Sequence, residues 1–134
     1  MKQTKIDHIA IAVESIEEAL PYYRDVLGLE FRGEETVEEQ QVRVAFLGIG
    51  ESAIELVEPL DETGPVARFI GKHGEGIHHI ALDVESIEEV LEAHRLANLK
   101  LIDTVPRKGA RGKKIAFIHP KSAHGVLIEL CERP

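Results

Sequence analysis

The sequence lacks the features that define several large classes of protein. Its only cysteine is Cys131, so no disulfide can form within the chain, and a reducing cytoplasm is the simpler expectation. No apolar run approaches the ~20 residues of a membrane span, and the first residues, MKQTKIDHIAI, lack the apolar core and cleavage site of a signal peptide. The formal net charge of −8 argues against a nucleic-acid partner. We therefore expect a cytoplasmic globular protein that binds neither membrane nor nucleic acid.

An internal repeat is the most informative feature that the sequence does contain. Residues 8–20 read HIAIAVESIEEAL and residues 79–91 read HIALDVESIEEVL, with the same residue at ten of thirteen positions. In each copy an alternating apolar run predicts a strand, over 6–13 and 77–84. The following SIEE is a capping box, which predicts helices that extend to about 27 and 97. Pro21 falls inside the first helix, where it removes a backbone hydrogen bond and should bend the helix.

Each predicted helix is followed by three strand-like runs. They cover 29–33, 42–47 and 53–58 in the first half and 99–103, 114–119 and 126–131 in the second, with a short linking helix over 65–73. The sequence therefore predicts one domain, 1–134, built from two βαβββ modules at about 5–60 and 76–132. A period of about 70 residues is too long for the repeat of a solenoid. The order of strands and helices in the two modules indicates an α+β fold. Its modules should lie side by side and form a curved sheet around a cleft.

One histidine and one glutamate stand at corresponding places in each module. His8 and His79 open the two repeats, and Glu55 and Glu129 stand in late apolar strands at nearly the same separation along the chain. An ionised carboxylate on an apolar face is costly unless something compensates it, and a divalent cation shared by two imidazoles and two carboxylates would do so. Such mixed ligation with open positions suits Co, Ni, Mn, Zn or Fe(II). The alternative for each residue by itself is structural: a histidine packed at a strand end, or a glutamate paired with arginine or solvated.

Two neighbours of these residues are interpreted as structural. Only His79 aligns with His8, and the pleat of the strand places the adjacent His78 on the opposite face. Cys131 follows Glu129 on the same face, and we interpret it as a buried apolar filler.

Positive charge is concentrated between residues 107 and 121. No acidic residue interrupts this stretch, and Gly109 and Gly112 give its backbone conformational freedom. The alternatives are a solvated basic loop and a binding site for the phosphates of a small anionic ligand. Six basic residues make up the stretch: Arg107, Lys108, Arg111, Lys113, Lys114 and Lys121.

These features resemble the vicinal-oxygen-chelate superfamily, the glyoxalase and bleomycin-resistance group, and within it the methylmalonyl-CoA epimerase family over essentially the full chain. The His and Glu repeats belong to the whole superfamily, whereas GIHHIA, the HPKS turn and GVLIEL are more particular to the epimerases. The resemblance is carried by DHIAIAV (7–13), IELVEPL (54–60), GEGIHHIALDV (74–84), IAFIHPKS (115–122) and GVLIEL (125–130).

The resemblance implies a metal site and a reaction. The metal ligands of the family fall on His8, Glu55, His79 and Glu129, with Co as the first choice and Ni, Mn or Zn as alternatives. The implied isomerase interconverts R- and S-methylmalonyl-CoA by removing the α-proton and stabilising the enolate at the metal. Glu129 is the firmer candidate base and Glu55 the candidate for the second. A further catalytic carboxylate of some epimerases would fall near Val44, where no acid stands, which leaves the second base open.

The resemblance also implies partners and leaves alternatives. It implies a cytoplasmic homodimer that acts on a CoA thioester, whose phosphates Arg107, Lys113, Lys114 and Lys121 would bind. Glyoxalase I (lactoylglutathione lyase) would use the same four ligands, but glutathione has no phosphates for the basic stretch to bind. A ring-cleaving dioxygenase needs only two histidines and one carboxylate and is usually longer. A binding module of the antibiotic-resistance type needs none of the metal ligands.

Overall fold

The computed structural model describes residues 3–134, with side chains from residue 5 onward. The chain divides into two compact units. The first unit is His8–His78, and the second is His79–Pro134 together with the residues that precede His8. No helix within the described range is long and apolar enough to cross a bilayer.

The first unit contains a mixed four-stranded sheet and two helices. Its elements are β1 (Gln3–Ala12), whose first residues belong to the second unit, α1 (Ile16–Leu20), β2 (Glu30–Val37), β3 (Val42–Ile49), β4 (Ser52–Pro59) and α2 (Pro65–His73). The strands lie in the order β2, β3, β4, β1, with β1 parallel to β4 and the other neighbours antiparallel. The linking helix that the sequence predicts over 65–73 is therefore confirmed.

The second unit repeats this plan with a shorter edge strand. Its elements are β5 (Gly76–Val84), which begins in the first unit, α3 (Ile87–Leu96), β6 (Arg107–Lys108), β7 (Lys114–Ile118) and β8 (Ile128–Glu132). The strands lie in the order β5, β8, β7, β6, with β5 parallel to β8 and the other neighbours antiparallel. Both units thus have the predicted order of one strand, one helix and three strands.

The capping boxes start the helices as the sequence predicts. Ser15 Oγ accepts the backbone N–H of Glu18, and Ser86 Oγ accepts the backbone N–H of Glu89, both at 3.2 Å. The predicted disturbance at Pro21 is also present, because α1 gives way there to a π-helical segment, Pro21–Val26. Since proline has no N–H to donate, the ordinary helical hydrogen-bond pattern cannot continue through it.

The helices α1 and α3 each pack on one face of the sheet in their own unit, and we call the opposite face the site face. The α1 side buries Val13, Ile16, Leu20, Ala45, Leu47 and Leu56, and the α3 side buries Val84, Ile87, Val90, Leu91, Ala116, Ile118 and Leu130. Because side chains alternate along a strand, their neighbours point to the site face. There the second unit has its own buried cluster of Ala81, Ile115, Phe117 and Cys131.

The predicted strand 99–103 is wrong. Among the described residues, only an isolated bridge between Leu101 and Ile118 forms there, and the two-residue strand β6 pairs with β7 instead. The Asp103 side chain explains the difference. Its Oδ2 accepts the backbone N–H of Phe117 at 2.8 Å, while the N–H of Asp103 donates to the carbonyl of Phe117 at 3.1 Å. A side chain therefore replaces one of the main-chain ladder bonds that a regular strand would make.

Candidate active site

The first unit places His8 beside Glu55 on its site face. β1 and β4 run parallel, with Ala10 opposite Glu55 and His8 opposite Ala53. This register brings His8 Nδ1 to 3.1 Å from Glu55 Oε2, with side-chain exposures of only 6% and 12%. Ile11 and Val13, on the other face of the same strand segment, pack against α1.

The second unit builds the equivalent pair from His79 and Glu129. Ala81 is opposite Glu129 in the parallel β5 and β8, and His79 Nε2 lies 3.0 Å from Glu129 Oε1. Both side chains are more than nine-tenths buried. An aromatic ring accompanies the pair: Phe117 is opposite Glu129, and its ring stands edge-on to His79 with the centroids 5.3 Å apart. Phe46 holds the corresponding place opposite Glu55 in the first unit.

The donor set of the two pairs fits a divalent transition metal. Each pair offers one imidazole nitrogen and one carboxylate oxygen, and these are the ligand atoms that Co, Ni, Mn and Zn accept. Two buried carboxylates also need compensating positive charge, which a divalent cation would supply. The structure brings each histidine to the glutamate of its own unit, and the assignment of all four as ligands of one metal stays a prediction.

Most of the predicted phosphate-binding residues already have carboxylate partners. Arg107 Nε lies 3.1 Å from Asp103 Oδ1, and Lys113 Nζ lies 2.7 Å from Asp7 Oδ1. Lys121 belongs to a 3-10 turn, Pro120–Ala123, where its backbone N–H donates to His119 Nδ1. No carboxylate partner of its ammonium is found among the described residues.

Lys114 has a structural role that the sequence analysis did not anticipate. Its ammonium lies 3.0 Å from Glu88 and 3.5 Å from Glu132. The hydrogen bond with Glu88 raises the pKa of Lys114 and lowers the pKa of Glu88. Lys114 precedes Ala116 and Ile118, which pack against α3, so the pleat places Lys114 on the helix side of the sheet. It therefore faces away from Glu129.

The contacts of Glu132 have counterparts in the first unit, and these counterparts are a second repeated feature of the chain. Glu132 Oε1 accepts the backbone N–H of Ile87 at 2.8 Å, and Glu58 Oε1 accepts that of Ile16 at 2.7 Å. Arg43 contacts Glu58 at 3.2 Å, at the position that corresponds to Lys114. The sequence contained this signal, because Glu58 and Glu132 have the same separation along the chain as Glu55 and Glu129.

The family comparison agrees with the architecture and with the repeated pair. Residues 7–117 match the model of the Glyoxalase/Bleomycin resistance protein/Dioxygenase superfamily, and the chain belongs to that superfamily. Within it, the chain is similar to methylmalonyl-CoA epimerases over nearly its full length. The resemblance and the α+β fold class expected from the sequence are both confirmed.

Three of these relatives show how close the similarity is. The ethylmalonyl-CoA/methylmalonyl-CoA epimerase of Cereibacter sphaeroides is 37% identical, over 94% of this chain and 96% of the relative. The crystal structure of methylmalonyl-CoA epimerase from Mycobacterium tuberculosis is 36% identical, has a TM-score of 0.94, and is matched over 98% of this chain and 89% of the other. Variants of the Streptomyces coelicolor epimerase in complex with 2-nitronate-propionyl-CoA are 37% identical, with a TM-score of 0.93 and 98% of each chain covered.

Proposed function

We propose that this protein is a metal-dependent epimerase that interconverts the R and S forms of methylmalonyl-CoA. The observation that carries the proposal is the buried histidine–glutamate pair, present once in each unit of a chain that is similar to epimerases over nearly its full length. A binding module would have no need to bury two such pairs. The isomerase assignment and the CoA thioester partner follow from the same similarity, and we also propose a cytoplasmic homodimer.

We propose that His8, Glu55, His79 and Glu129 together hold one divalent cation, with Co first and Ni, Mn or Zn as alternatives. When bound, such a cation supplies Lewis acidity, which lowers the free energy of the negative charge that develops on the oxygens of the thioester. The low exposure of the four side chains supports this assignment, because a cation shared among them would offset the cost of removing two carboxylates from water. We propose the single domain 1–134 on the same ground, since one shared cation requires both units.

Glu129 is the proposed acceptor of the substrate's α-proton. The carboxylate is almost fully buried between His79 and the Phe117 ring, and this environment limits its contact with water. Exclusion of water keeps this carboxylate available to accept a proton from the bound substrate. Racemisation needs a second group on the other face of the substrate, and Glu55 is the counterpart of Glu129 in the first unit.

A second candidate for that opposite face is Glu38. The Streptomyces coelicolor variants include one changed at a glutamate and one changed at a glutamine further along that chain. The interval between those two positions equals the interval between Glu38 and Glu55 in this chain. Glu38 begins a 3-10 turn, Glu38–Gln40, and its side chain is exposed. On this spacing we propose Glu38 as the second candidate, in place of a position near Val44, where the chain has no carboxylate.

Deuterium exchange at the α-carbon of methylmalonyl-CoA tests the proposal. The metal-loaded protein in heavy water should exchange the α-proton and interconvert the two isomers, and a chelator should abolish both. A parallel assay with the hemithioacetal of glutathione distinguishes glyoxalase I, the main alternative. Turnover of the hemithioacetal without exchange in the CoA thioester would replace the epimerase assignment.

A further inference from the structure

We propose that Glu35 is a further catalytic residue, which transfers a proton at the face of the substrate that Glu129 does not serve. The inference rests on the proposed function and deepens it by giving the second proton-transfer role to a carboxylate of the first unit. It begins from the register of the edge strand β2. Glu35 is opposite Val44 on β3, and Val44 is in turn opposite Val57 on β4.

The pleat of the sheet places Glu35 on the site face. Ala45 packs against α1, so the adjacent Val44 points to the opposite face of β3. Residues directly opposite each other in an antiparallel pair share a face, and Glu35 therefore lies on the same face as Val44. Glu55, opposite the next site-face residue of β3, lies on this face as well.

The preceding glutamate, Glu34, lies on the helix side of the same strand. It is opposite Ala45, and its Oε1 is 3.5 Å from Arg43 Nε. Arg43 also contacts Glu58, whose carboxylate accepts the backbone N–H of Ile16 at the start of α1. The first of the two consecutive glutamates thus has a structural role on the helix side.

The surroundings of Glu35 suit proton transfer. Its row across the sheet continues through Val44, Val57 and Ala12, all of which are buried. This apolar floor limits the access of water to Glu35, which is itself half-buried. Two strand spacings and one pleat repeat separate Glu35 from Glu55, or about 12 Å between their Cα atoms. A small acyl group held beside the Glu55 carboxylate therefore comes within reach of the Glu35 side chain.

The second unit has an arginine at the equivalent edge position. Arg107 is opposite Ile115 on β7, as Glu35 is opposite Val44 on β3, and Ile115 follows Val44 at the same separation along the chain as the two site histidines. The His–Glu pair occurs in both units, whereas this position carries opposite charges. A guanidinium stays protonated and cannot accept a proton. Of the two edge positions, the one in the first unit is therefore equipped for proton transfer.

Glu35 is better placed for this role than the two other candidates. Glu55 contacts His8 and is a proposed metal ligand. Glu38 begins the turn that follows β2, and its side chain is exposed. Glu35 combines a position on the site face with apolar neighbours that are buried.

The proposed step moves one proton at each face of the α-carbon. When Glu129 accepts the α-proton, the C–H bond breaks and its electron pair remains on the substrate as an enolate. Protonated Glu35 then donates its proton to the α-carbon from the other face, which forms a new C–H bond with inverted configuration. In the reverse direction Glu35 accepts the proton and Glu129 donates one. Proton exchange of the two carboxyl groups with water restores the starting state.

Exchange measured separately from each isomer of methylmalonyl-CoA tests the proposal. Metal-loaded wild type in heavy water should exchange the α-proton of both isomers and interconvert them. Glu35→Gln should slow the interconversion by about 10²-fold or more and should exchange only the isomer whose proton Glu129 accepts. Glu34→Gln, at the adjacent position on the helix side, is the matched control and should keep both activities. Glu35→Asp retains a carboxylate and should recover part of the interconversion.

Two results would overturn the inference. Interconversion by Glu35→Gln at the wild-type rate would exclude Glu35 from catalysis, and an equal loss of exchange from both isomers would make it a binding or structural residue. If Glu35→Gln does not fold, Glu35→Asp carries the test, and its interconversion must fall further than its exchange of the isomer that Glu129 deprotonates. Failure of the proposed function would look different, because wild type itself would then neither exchange nor interconvert the two isomers.

Discussion

Glu132 Oε1 accepts the backbone N–H of Ile87 at 2.8 Å, so the last strand of the second unit caps the first turn of its helix. The two residues are far apart in the sequence, and only the fold brings them together. An unsatisfied N–H at a helix start is costly, and a carboxylate there also interacts favourably with the helix dipole. Glu58 does the same for Ile16, so this contact is a repeated element of the fold and not an accident of one surface.

Removal of this cap should destabilise the protein while leaving the proposed catalytic side chains in the sequence. Glu132→Ala is expected to lower the free energy of unfolding by about 1–2 kcal/mol, because it leaves a helix N–H without its acceptor. Urea denaturation measures the change, with Glu92→Ala as the control, since the contact of Glu92 among the described residues is an exposed ion pair with Arg95. Equal midpoints for the two variants would contradict the capping role.

Glu129→Gln should retain the fold and lose most of the activity. The substitution keeps the size and the apolar surroundings of the side chain but removes the proposed base, which typically costs about 10²–10⁴-fold in rate. Epimerisation is measured on metal-loaded protein, with Glu88→Gln, on the exposed helix surface, as the control. Wild-type turnover by a folded, metal-loaded Glu129→Gln would exclude this residue as the base.

Adjacent histidines provide a matched test of the metal site. His79→Asn should reduce the amount of Co or other divalent metal that survives dialysis, whereas His78→Asn should leave it unchanged. The two side chains lie on opposite faces of β5, and His78 stands against the Phe69 ring, with the centroids 5.0 Å apart. Metal content measured by elemental analysis decides between them, and equal retention by both variants would remove His79 from the ligand set.

The basic stretch should divide into structural and binding residues. Lys114→Met is expected to lower the thermal midpoint slightly and to leave the KM for methylmalonyl-CoA unchanged, because its partners Glu88 and Glu132 lie on the helix side. Lys121→Gln should raise KM at low ionic strength, and this effect should shrink as salt is added. A raised KM for Lys114→Met at unchanged stability would restore it to the phosphate site.

Glu38→Gln distinguishes the two candidates for the second base. If Glu38 protonates one face of the substrate, the variant should lose epimerisation by about 10²-fold or more while Glu129 still exchanges the α-proton of one isomer. Proton NMR in heavy water follows the two isomers separately. Glu39→Gln, at the next position in the same turn, is the control. Equal loss of exchange from both isomers would point instead to a general effect on binding.

The sequence predicts the local elements because they depend on short-range patterns, and its repeat predicts that one histidine and one glutamate hold equivalent places in the two units. The repeat, the SIEE capping boxes and the strand alternation each specify structure within a few residues, and the structure agrees. The error at 99–103 arises because Asp103 bonds to Phe117, a partner that no periodic pattern reveals. The function of Lys114 was likewise hidden, since which face a lysine occupies depends on the register of β7. Clustered charge in the sequence does not show which charges are already paired.

The cap on Ile87 also joins two parts of the second unit into one cooperative element. Fraying of the first turn of α3 breaks its contact with β8, and displacement of the end of β8 leaves the N–H of Ile87 without this acceptor, while Ser86 still accepts the N–H of Glu89. Glu129 lies on the same short strand as Glu132. Opening of the helix start is therefore coupled through this hydrogen bond to displacement of the strand that carries the buried carboxylate, so a helix on the far side of the sheet supports the strand that positions Glu129.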